Sequence, residues 1–219
     1  MNIYAILSLC AFFVATSIHL YASAKQDQKL RNLTQPFILL SLLGLYLAMA
    51  RPILLLMVLA LVFSWLGDVF LMIKSLKWFA VGGVCFLVSH IFFVLAYNTQ
   101  IDFTLIPLWA IILLGAFFLA AVVIIFIQLK PHLPHALFYP MALYLATNGA
   151  MNCFAIFRAI SNPGLASVIT VIGAFLFFIS DTTLFFVRFN KESRMKSHFL
   201  IMLTYSVGEL LIVLGMIYL

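Results

Sequence analysis

Long apolar runs alternate with short polar breaks along the whole chain. The breaks fall at charged residues, prolines or polar clusters, with the most strongly basic at 25–31 and 188–196. They delimit eight apolar segments, at 2–23, 34–50, 52–73, 77–98, 104–128, 135–158, 163–189 and 195–218. A helix needs roughly 20 apolar residues to cross a bilayer. The pattern therefore predicts eight transmembrane helices in a single domain, 1–219.

The same segments exclude a transmembrane barrel, because none alternates polar and apolar residues with a period of two. Backbone groups in hydrocarbon must be paired within the protein, which leaves the α-helix as the spanning element. Composition agrees with this view. The chain is 66% hydrophobic and 8% charged, whereas soluble domains carry about 25% charged residues. We expect an all-α, polytopic membrane helix bundle without a soluble domain.

The net charge of +6 follows the breaks between segments and forms no basic patch with interleaved aromatics, so we expect no nucleic-acid partner. Ten of the twelve Lys and Arg residues lie in the first, third, fifth and seventh loops. The exceptions are Arg51 and Arg158. By the positive-inside rule, the odd loops face the cytoplasm and both termini face the other side. With its short loops, the chain is typical of an integral multi-pass protein of a bacterial inner membrane.

Four ionisable residues interrupt the apolar segments: Asp68, His90, Asp181 and Glu209. A charge near the bilayer centre costs about 2.5–3.5 kcal/mol on insertion scales, so such residues are functional candidates. Counting from the nearest basic residue of the odd loops, both Asp residues lie about 9–10 Å inside the membrane, on the same side. The same count places His90 and Glu209 about 20 Å deep.

The two Asp residues share a local pattern. Segments 67–71 and 180–184 both read small residue, Asp, two residues and Leu. The match indicates a four-plus-four parallel internal repeat. Gly67 and Ser180 would let the two Asp helices pack closely, so we predict that the carboxyl groups share one pocket and a proton. The alternative is that each Asp only forms a hydrogen bond with a neighbouring polar side chain.

Further polar residues are expected to position a substrate or water around this pair. Tyr144, Asn148 and Asn152 lie four residues apart and therefore line one helix face. They form either a wall of the cavity or a set of interhelical hydrogen bonds. The complete positioning set that we predict is His90, Tyr144, Asn148, Asn152, Tyr205, Glu209, Ser64 and Ser180.

Common cofactor, metal and nucleophile motifs are missing from the sequence. It contains no GxSxG, Walker loop, GxGxxG or HExxH, and its three Cys residues have no metal-type spacing. We expect no cofactor and no metal.

Several short motifs, in order along the chain, carry a resemblance to a known family. Residues 67–72, with Gly-Asp-x-x-Leu-Met, resemble a signature of the YhhN family of lysoplasmalogenases. The Phe-x-x-x-His of 86–90, the Pro-x-x-x-Tyr of 140–144 with Met151, and the Ser-Asp-x-x-Leu of 180–184 resemble its later motifs.

The resemblance implies an eight-helix enzyme that hydrolyses the vinyl ether bond of lysoplasmalogen. Its products would be a fatty aldehyde and glycerophosphoethanolamine or glycerophosphocholine. Asp68 and Asp181 would be the catalytic residues, and the partners would be a lysophospholipid substrate and membrane lipids. Two alternatives fit the same residues: a proton-coupled transporter of a small or lipid-like substrate, since paired intramembrane carboxylates suit transport, and a non-catalytic lipid-binding protein. The sequence carries no signal for oligomeric state.

Overall fold

The computed structural model describes residues 2–190 and 198–217, and this part of the chain folds into eight α-helices without strands. The helices are α1 (Ile3–Ala24), α2 (Gln28–Met49), α3 (Leu55–Leu71), α4 (Leu76–Asn98), α5 (Leu108–Leu129), α6 (Phe138–Ser161), α7 (Leu165–Phe189) and α8 (His198–Ile217). The predicted all-α bundle is confirmed. Three of the basic residues counted in the seventh loop, Lys191, Arg194 and Lys196, lie outside the described residues, as does the predicted start of the last segment.

The largest difference from the predicted segments is at α2, which begins at Gln28, six residues before the apolar run. Asp27 explains the early start, because its side chain accepts hydrogen bonds from the backbone amides of Lys29 and Leu30, at 3.0 and 3.1 Å. Residues 28–31 of the basic stretch therefore form the first turn of α2, which carries the half-buried Arg31.

Six of the described helices are long and apolar enough to cross a membrane. The other two are α3, with 17 residues, and α6, which carries Tyr144, Asn148 and Asn152 along one face. Large apolar side chains also cover the outside of the bundle: on α5, Leu108 is 70% and Trp109 is 68% exposed. Such an outer surface is stable in lipid and unstable in water, and the chain is a multi-pass membrane protein.

Sequence neighbours form the tightest pairs, with α1 against α2, α3 against α4 and α7 against α8. The predicted close contact between the two Asp helices is wrong, because α3 and α7 do not pack extensively in the described structure. The small residues beside each Asp serve the hairpins instead. Gly67 leaves room for the ring of Phe86 on α4, and Ser180 donates a hydrogen bond to the carbonyl of Ile201 on α8, at 2.9 Å.

Contacts between the two halves agree with the predicted repeat. α2 packs against α3 as α6 packs against α7, and α4 packs against α6 as α8 packs against α2. The halves differ at the edge, where α1 contacts α8, whereas α5 contacts only α6, α7 and the turn that follows it among the main contacts of the described chain. The core of the bundle is therefore formed by α2, α3, α4, α6, α7 and α8.

A buried arginine ties the helices together at the end of the bundle away from the basic loops. Arg158 on α6 is 2% exposed. Its guanidinium donates to the side chains of Gln100 and Thr170 and to the carbonyl of Gly215. The guanidinium of Arg158 thus connects the turn after α4 to α7 and α8.

The glycines of α7 and α8 provide a test of how closely these two helices pack. A Cβ on Gly173 would lie 2.6 Å from the carbonyl oxygen of Gly208. We expect Gly173→Ala to lower the free energy of unfolding by about 1–3 kcal/mol, because backbone on both helices must move. The matched control is Gly115→Ala on α5, where nothing lies within 4 Å. Thermal unfolding in detergent should leave this control unchanged or slightly more stable, and equal midpoints for the two variants would contradict the packing described.

Candidate active site

Asp68 lies near the C-terminal end of α3, four residues before its C-cap Met72. Its side chain is almost fully buried and accepts hydrogen bonds from residues on two other helices. Gln35 on α2 donates its amide to Oδ1 at 3.1 Å, and the hydroxyl of Tyr205 on α8 donates to Oδ2 at 2.8 Å. Both donors are neutral. Each carboxylate oxygen therefore has one hydrogen bond, and no cation of the described residues lies within ion-pair distance of Asp68.

Asp181 on α7 is also buried, but its donors converge on one oxygen. The hydroxyl of Tyr144 donates to Oδ2 at 2.6 Å, and the amide of Asn148 donates to the same atom at 2.7 Å. The side chain keeps 7% of its surface accessible. No hydrogen bond from the described residues reaches Oδ1, so this oxygen is free to bind or release a proton.

The two Asp sites are related by the internal repeat. Gln35 and Asn148 each precede the Asp that they contact by 33 residues, and both present a carboxamide. They lie on α2 and α6, which are equivalent helices of the two halves. This shared spacing adds an independent sign of duplication to the local match around the Asp residues.

The two carboxyl groups belong to one buried cluster with Glu209. Asp181 and Glu209 both lie close enough to Asp68 to interact with it electrostatically. Aromatic rings fill the space around them: the ring of Phe177 is 5.4 Å from that of Tyr205 and 5.1 Å from that of His90. Because each carboxylate has its own donors and no hydrogen bond joins them in the described structure, the predicted sharing of one proton is not the arrangement seen.

The side chain of His90 lies beside that of Asp181, although counting residues from the loops placed His90 about 10 Å deeper in the membrane. Its Nε2 is 3.6 Å from Oδ2 of Asp181, just beyond hydrogen-bonding distance. Side chains lean towards the N-terminus of their helix. α4 and α7 run in opposite directions, so the two side chains lean towards each other. The separate depth predicted for His90 is therefore wrong.

Several buried polar atoms in the cluster have no hydrogen-bond partner among the described residues. They are both ring nitrogens of His90 and both carboxyl oxygens of Glu209. Buried polar groups are nearly always paired, so unpaired ones in a cluster indicate a place where water or substrate polar groups bind. His90 and Glu209 are thus the groups in the cluster with free capacity for a ligand.

Three further residues of the predicted positioning set form hydrogen bonds with protein groups other than the two Asp carboxylates. Asn152 donates to the backbone carbonyl of Asn148 at 3.0 Å and to the Oδ1 of the same residue at 3.4 Å, and the second bond contacts the Asn148 side chain from one turn away. Ser64 lies beside Glu209 but pairs with the hydroxyl of Ser89 at 2.7 Å. Ser180 bonds to α8, as described above. All three side chains thus bond to protein groups in the described structure, and their predicted positioning role stays a prediction.

The sequence analysis missed Gln35. A glutamine inside the second apolar segment was a signal, but nothing in the sequence showed that this face of α2 turns towards Asp68. The aromatic rings of Phe86 and Phe177, which surround the polar groups, were also indistinguishable from other apolar residues.

Two openings approach the cluster. The first is a polar cleft of about 420 Å³ at the end of the bundle where α3 and α7 finish. The second is an apolar groove between α4 and α6, whose lining includes Leu87, Met141, Tyr144 and Phe185. Phe79 lines both openings. Leu71 and Leu184, each one turn from one of the two Asp residues, line the cleft, and Tyr144, which donates to Asp181, lines the groove. Within the described residues, no three His, Cys, Asp or Glu side chains are grouped as metal ligands.

Fold and site together define a multi-pass α-helical membrane protein with a buried acidic cluster about one helical turn from a polar cleft at one end of the bundle. The sequence model of the YhhN family matches residues 30–216. The chain therefore belongs to the YhhN family. No curated protein and no solved structure matches the chain.

The carboxamide donors test the equivalence of the two Asp sites. We expect Gln35→Leu and Asn148→Leu each to lower the free energy of unfolding by about 1–3 kcal/mol, because each leaves a buried carboxyl group short of a donor. Thr147→Val is the control, since that hydroxyl bonds only to carbonyls of its own helix. Thermal unfolding measures all three, and a carboxamide variant as stable as Thr147→Val would refute the described role of that side chain.

Proposed function

We propose that this protein hydrolyses the vinyl ether bond of a lysoplasmalogen within the membrane, using Asp68 and Asp181 as an acid–base pair. The observation that carries the proposal is the buried acidic cluster, with two carboxyl groups on separate helices, one of which has a free oxygen. Membership of the YhhN family supports it, because the sequence motifs resemble those of the family's lysoplasmalogenases.

The chemistry requires one proton donor and one anion. A proton adds to the β-carbon of the vinyl ether, and the positive charge that results is shared between the α-carbon and the ether oxygen. Water then adds to the α-carbon and loses a proton to a base. The hemiacetal formed in this way breaks into a fatty aldehyde and the glycerol hydroxyl of the other product. One water is consumed, and the proton returns to the protein. Paired carboxyl groups serve a similar cation in glycoside hydrolysis.

The hydrogen bonds favour Asp181 as the acid and Asp68 as the anion. On Asp181, two donors fix Oδ2 and leave Oδ1 able to carry the proton. On Asp68, both oxygens accept hydrogen bonds, which stabilises the ionised form. Electrostatic stabilisation of the cation by Asp68 would be strong, because the surrounding rings exclude water.

His90 is placed to orient the reacting water. Its Nε2 lies next to Asp181, and neither of its nitrogens has a partner among the described residues. Catalytic hydrogen bonds are often long in the empty site and shorten when substrate binds. Tyr144 and Asn148 hold Asp181 in its orientation, and Tyr205 does so for Asp68.

Proton-coupled transport is the second candidate, and one observation favours it. Polar groups continue from the acidic cluster towards the opposite end, since Tyr97 interacts electrostatically with both Glu209 and Arg158. Arg158 closes that end through its bonds to Gln100, Thr170 and Gly215. The two functions separate in one assay, because purified protein in detergent can hydrolyse lipid but transport needs a sealed vesicle. Tight lipid binding without turnover would instead indicate a non-catalytic lipid-binding protein.

The decisive variants are Asp68→Asn and Asp181→Asn. We expect each to lower kcat for lysoplasmenylethanolamine by about 10²–10⁴-fold, because each removes proton transfer or charge stabilisation. Aldehyde release by the purified protein, followed by mass spectrometry, measures the effect. Asp102→Asn is the control, since Asp102 is exposed in a loop and, among the described residues, its carboxylate accepts bonds only from Thr104. Turnover near that of the control in both site variants would end the proposal.

Infrared spectroscopy tests which Asp carries the proton. In a Glu209→Gln background, we expect the carbonyl stretch of a buried protonated carboxylic acid to disappear with Asp181→Asn and to persist with Asp68→Asn. The Glu209 change removes the third buried acid from the spectrum. The reverse pattern would exchange the two roles while leaving the paired mechanism in place.

A further inference from the structure

The polar cleft has a strongly positive lining. It is formed at the ends of α3 and α7 and the starts of α2, α4 and α8, and its charged or polar residues are Gln28, Arg31, Lys74, Arg188 and His198. Three are permanent cations, and none of the residues that line the cleft is Asp or Glu. In the described part of the chain, no carboxylate lies within ion-pair distance of these cations. Among the described residues, the positive charge of the cleft is therefore not compensated by a carboxylate.

Its cations are held in position by neutral groups. Arg31 donates through Nη2 to Nδ1 of His198, at 3.1 Å, and its buried Nε has no hydrogen-bond partner among the described residues. The guanidinium of Arg188 lies 5.3 Å above the ring of Phe79, in a cation–π contact. These contacts fix the positions of the charges without neutralising them, which leaves their hydrogen-bonding capacity for an anion.

The cleft lies directly beyond the acidic cluster. Leu71 and Leu184 line it, and each is three residues, or about 4.5 Å along its helix, past one of the two Asp residues. Lys74 lies three residues past the end of α3, in the connection to α4. A glycerol unit spans the step of about 4.5 Å between the Asp residues and the lining of the cleft, so one molecule can reach the cations and the carboxyl groups together.

We propose that this cleft binds the phosphodiester of a single-chain phospholipid, with Arg31, Lys74 and Arg188 as its contacts. The inference rests on the proposed function and names the part of the substrate that the acidic cluster does not recognise. With the phosphate in the cleft, the first glycerol carbon reaches Asp68 and Asp181. The hydrocarbon chain runs along the groove between α4 and α6, and Phe79 separates the two parts.

Headgroup selectivity follows from the same lining. Arginine and lysine recognise the phosphate, but none of the lining residues offers a carboxylate to an ammonium group. The terminal amine therefore faces water, and ethanolamine and choline lipids bind with affinities that agree within a few-fold. Removal of the phosphate, by contrast, weakens binding strongly.

The test measures binding without turnover, using the full-length protein and saturated alkyl-ether ligands that cannot be hydrolysed. The ligands are an alkyl lysophosphatidylethanolamine, its choline analogue, an alkylglycerol without phosphate, and inorganic phosphate alone. For the wild type, we expect both lysophospholipids to bind at least tenfold more tightly than the alkylglycerol and than phosphate. Binding of the lysophospholipids, but not of the alkylglycerol, should weaken as salt rises.

The variants are Lys74→Gln and Arg188→Gln, singly and together. Each should weaken lysophospholipid binding about tenfold, with no change for the alkylglycerol. Lys130→Gln is the control, an exposed cation that does not line the cleft. Equal binding of lysophospholipid and alkylglycerol by the wild type, or full lysophospholipid affinity in the double variant, overturns the proposal. Phosphate alone binding as tightly as the lipid overturns the assignment to a lipid headgroup.

This result is separable from the proposed reaction. If the wild type binds lysophospholipid through the cleft but releases no aldehyde from lysoplasmenylethanolamine, the headgroup site stands and the hydrolase proposal fails. If aldehyde is released and the cleft variants bind and turn over lysophospholipid like the wild type, the reaction stands and the headgroup site fails.

Discussion

An acidic side chain inside a membrane bundle must receive hydrogen bonds from its neighbours, because hydrocarbon offers none. This constraint organises the interior of the protein. Asp68 draws donors from α2 and α8, and Asp181 draws two from α6 with His90 of α4 close by. The helices that surround the cluster are thereby fixed in rotation about their own axes, since a turned helix would leave a carboxyl group unpaired.

Glycines and aromatic rings make this polar interior compatible with close packing. Gly173 and Gly208 bring the backbones of α7 and α8 together, which carries Tyr205 and Glu209 towards the cluster. Gly67 makes space for the ring of Phe86, which contacts the rings of Phe177 and Tyr205. Apolar rings between charged groups lower the local dielectric and strengthen every interaction among the acidic side chains. The glycines thus strengthen the interactions among the acidic side chains indirectly, because they make room for the aromatic rings.

The sequence predicts the spans well, because bilayer thickness sets the length of an apolar run whatever the tertiary contacts are. It also singles out Asp68 and Asp181, since intramembrane carboxylates are rare. It fails where helix rotation and pairing decide the outcome. A small residue beside each Asp signals a close approach but does not name the partner, so the predicted contact between α3 and α7 was wrong. Gln35 lay within an apolar segment whose inward face the sequence does not define, and the depth count for His90 ignored the lean of side chains.

The two halves of the repeat are alike in sequence around each Asp, yet the two carboxyl groups receive different hydrogen bonds from the surrounding helices. α2 and α8 give Asp68 one donor for each oxygen, whereas α6 gives Asp181 two donors for one oxygen. Hydrogen bonds to both oxygens favour the anion, and a free oxygen favours a carboxyl group that exchanges its proton. In the proposed reaction, the different donors around two otherwise similar aspartates would make one of them the acid and the other the anion. The asymmetry that the proposed reaction needs lies in the helices around the motif, since the motif itself is the same in both halves.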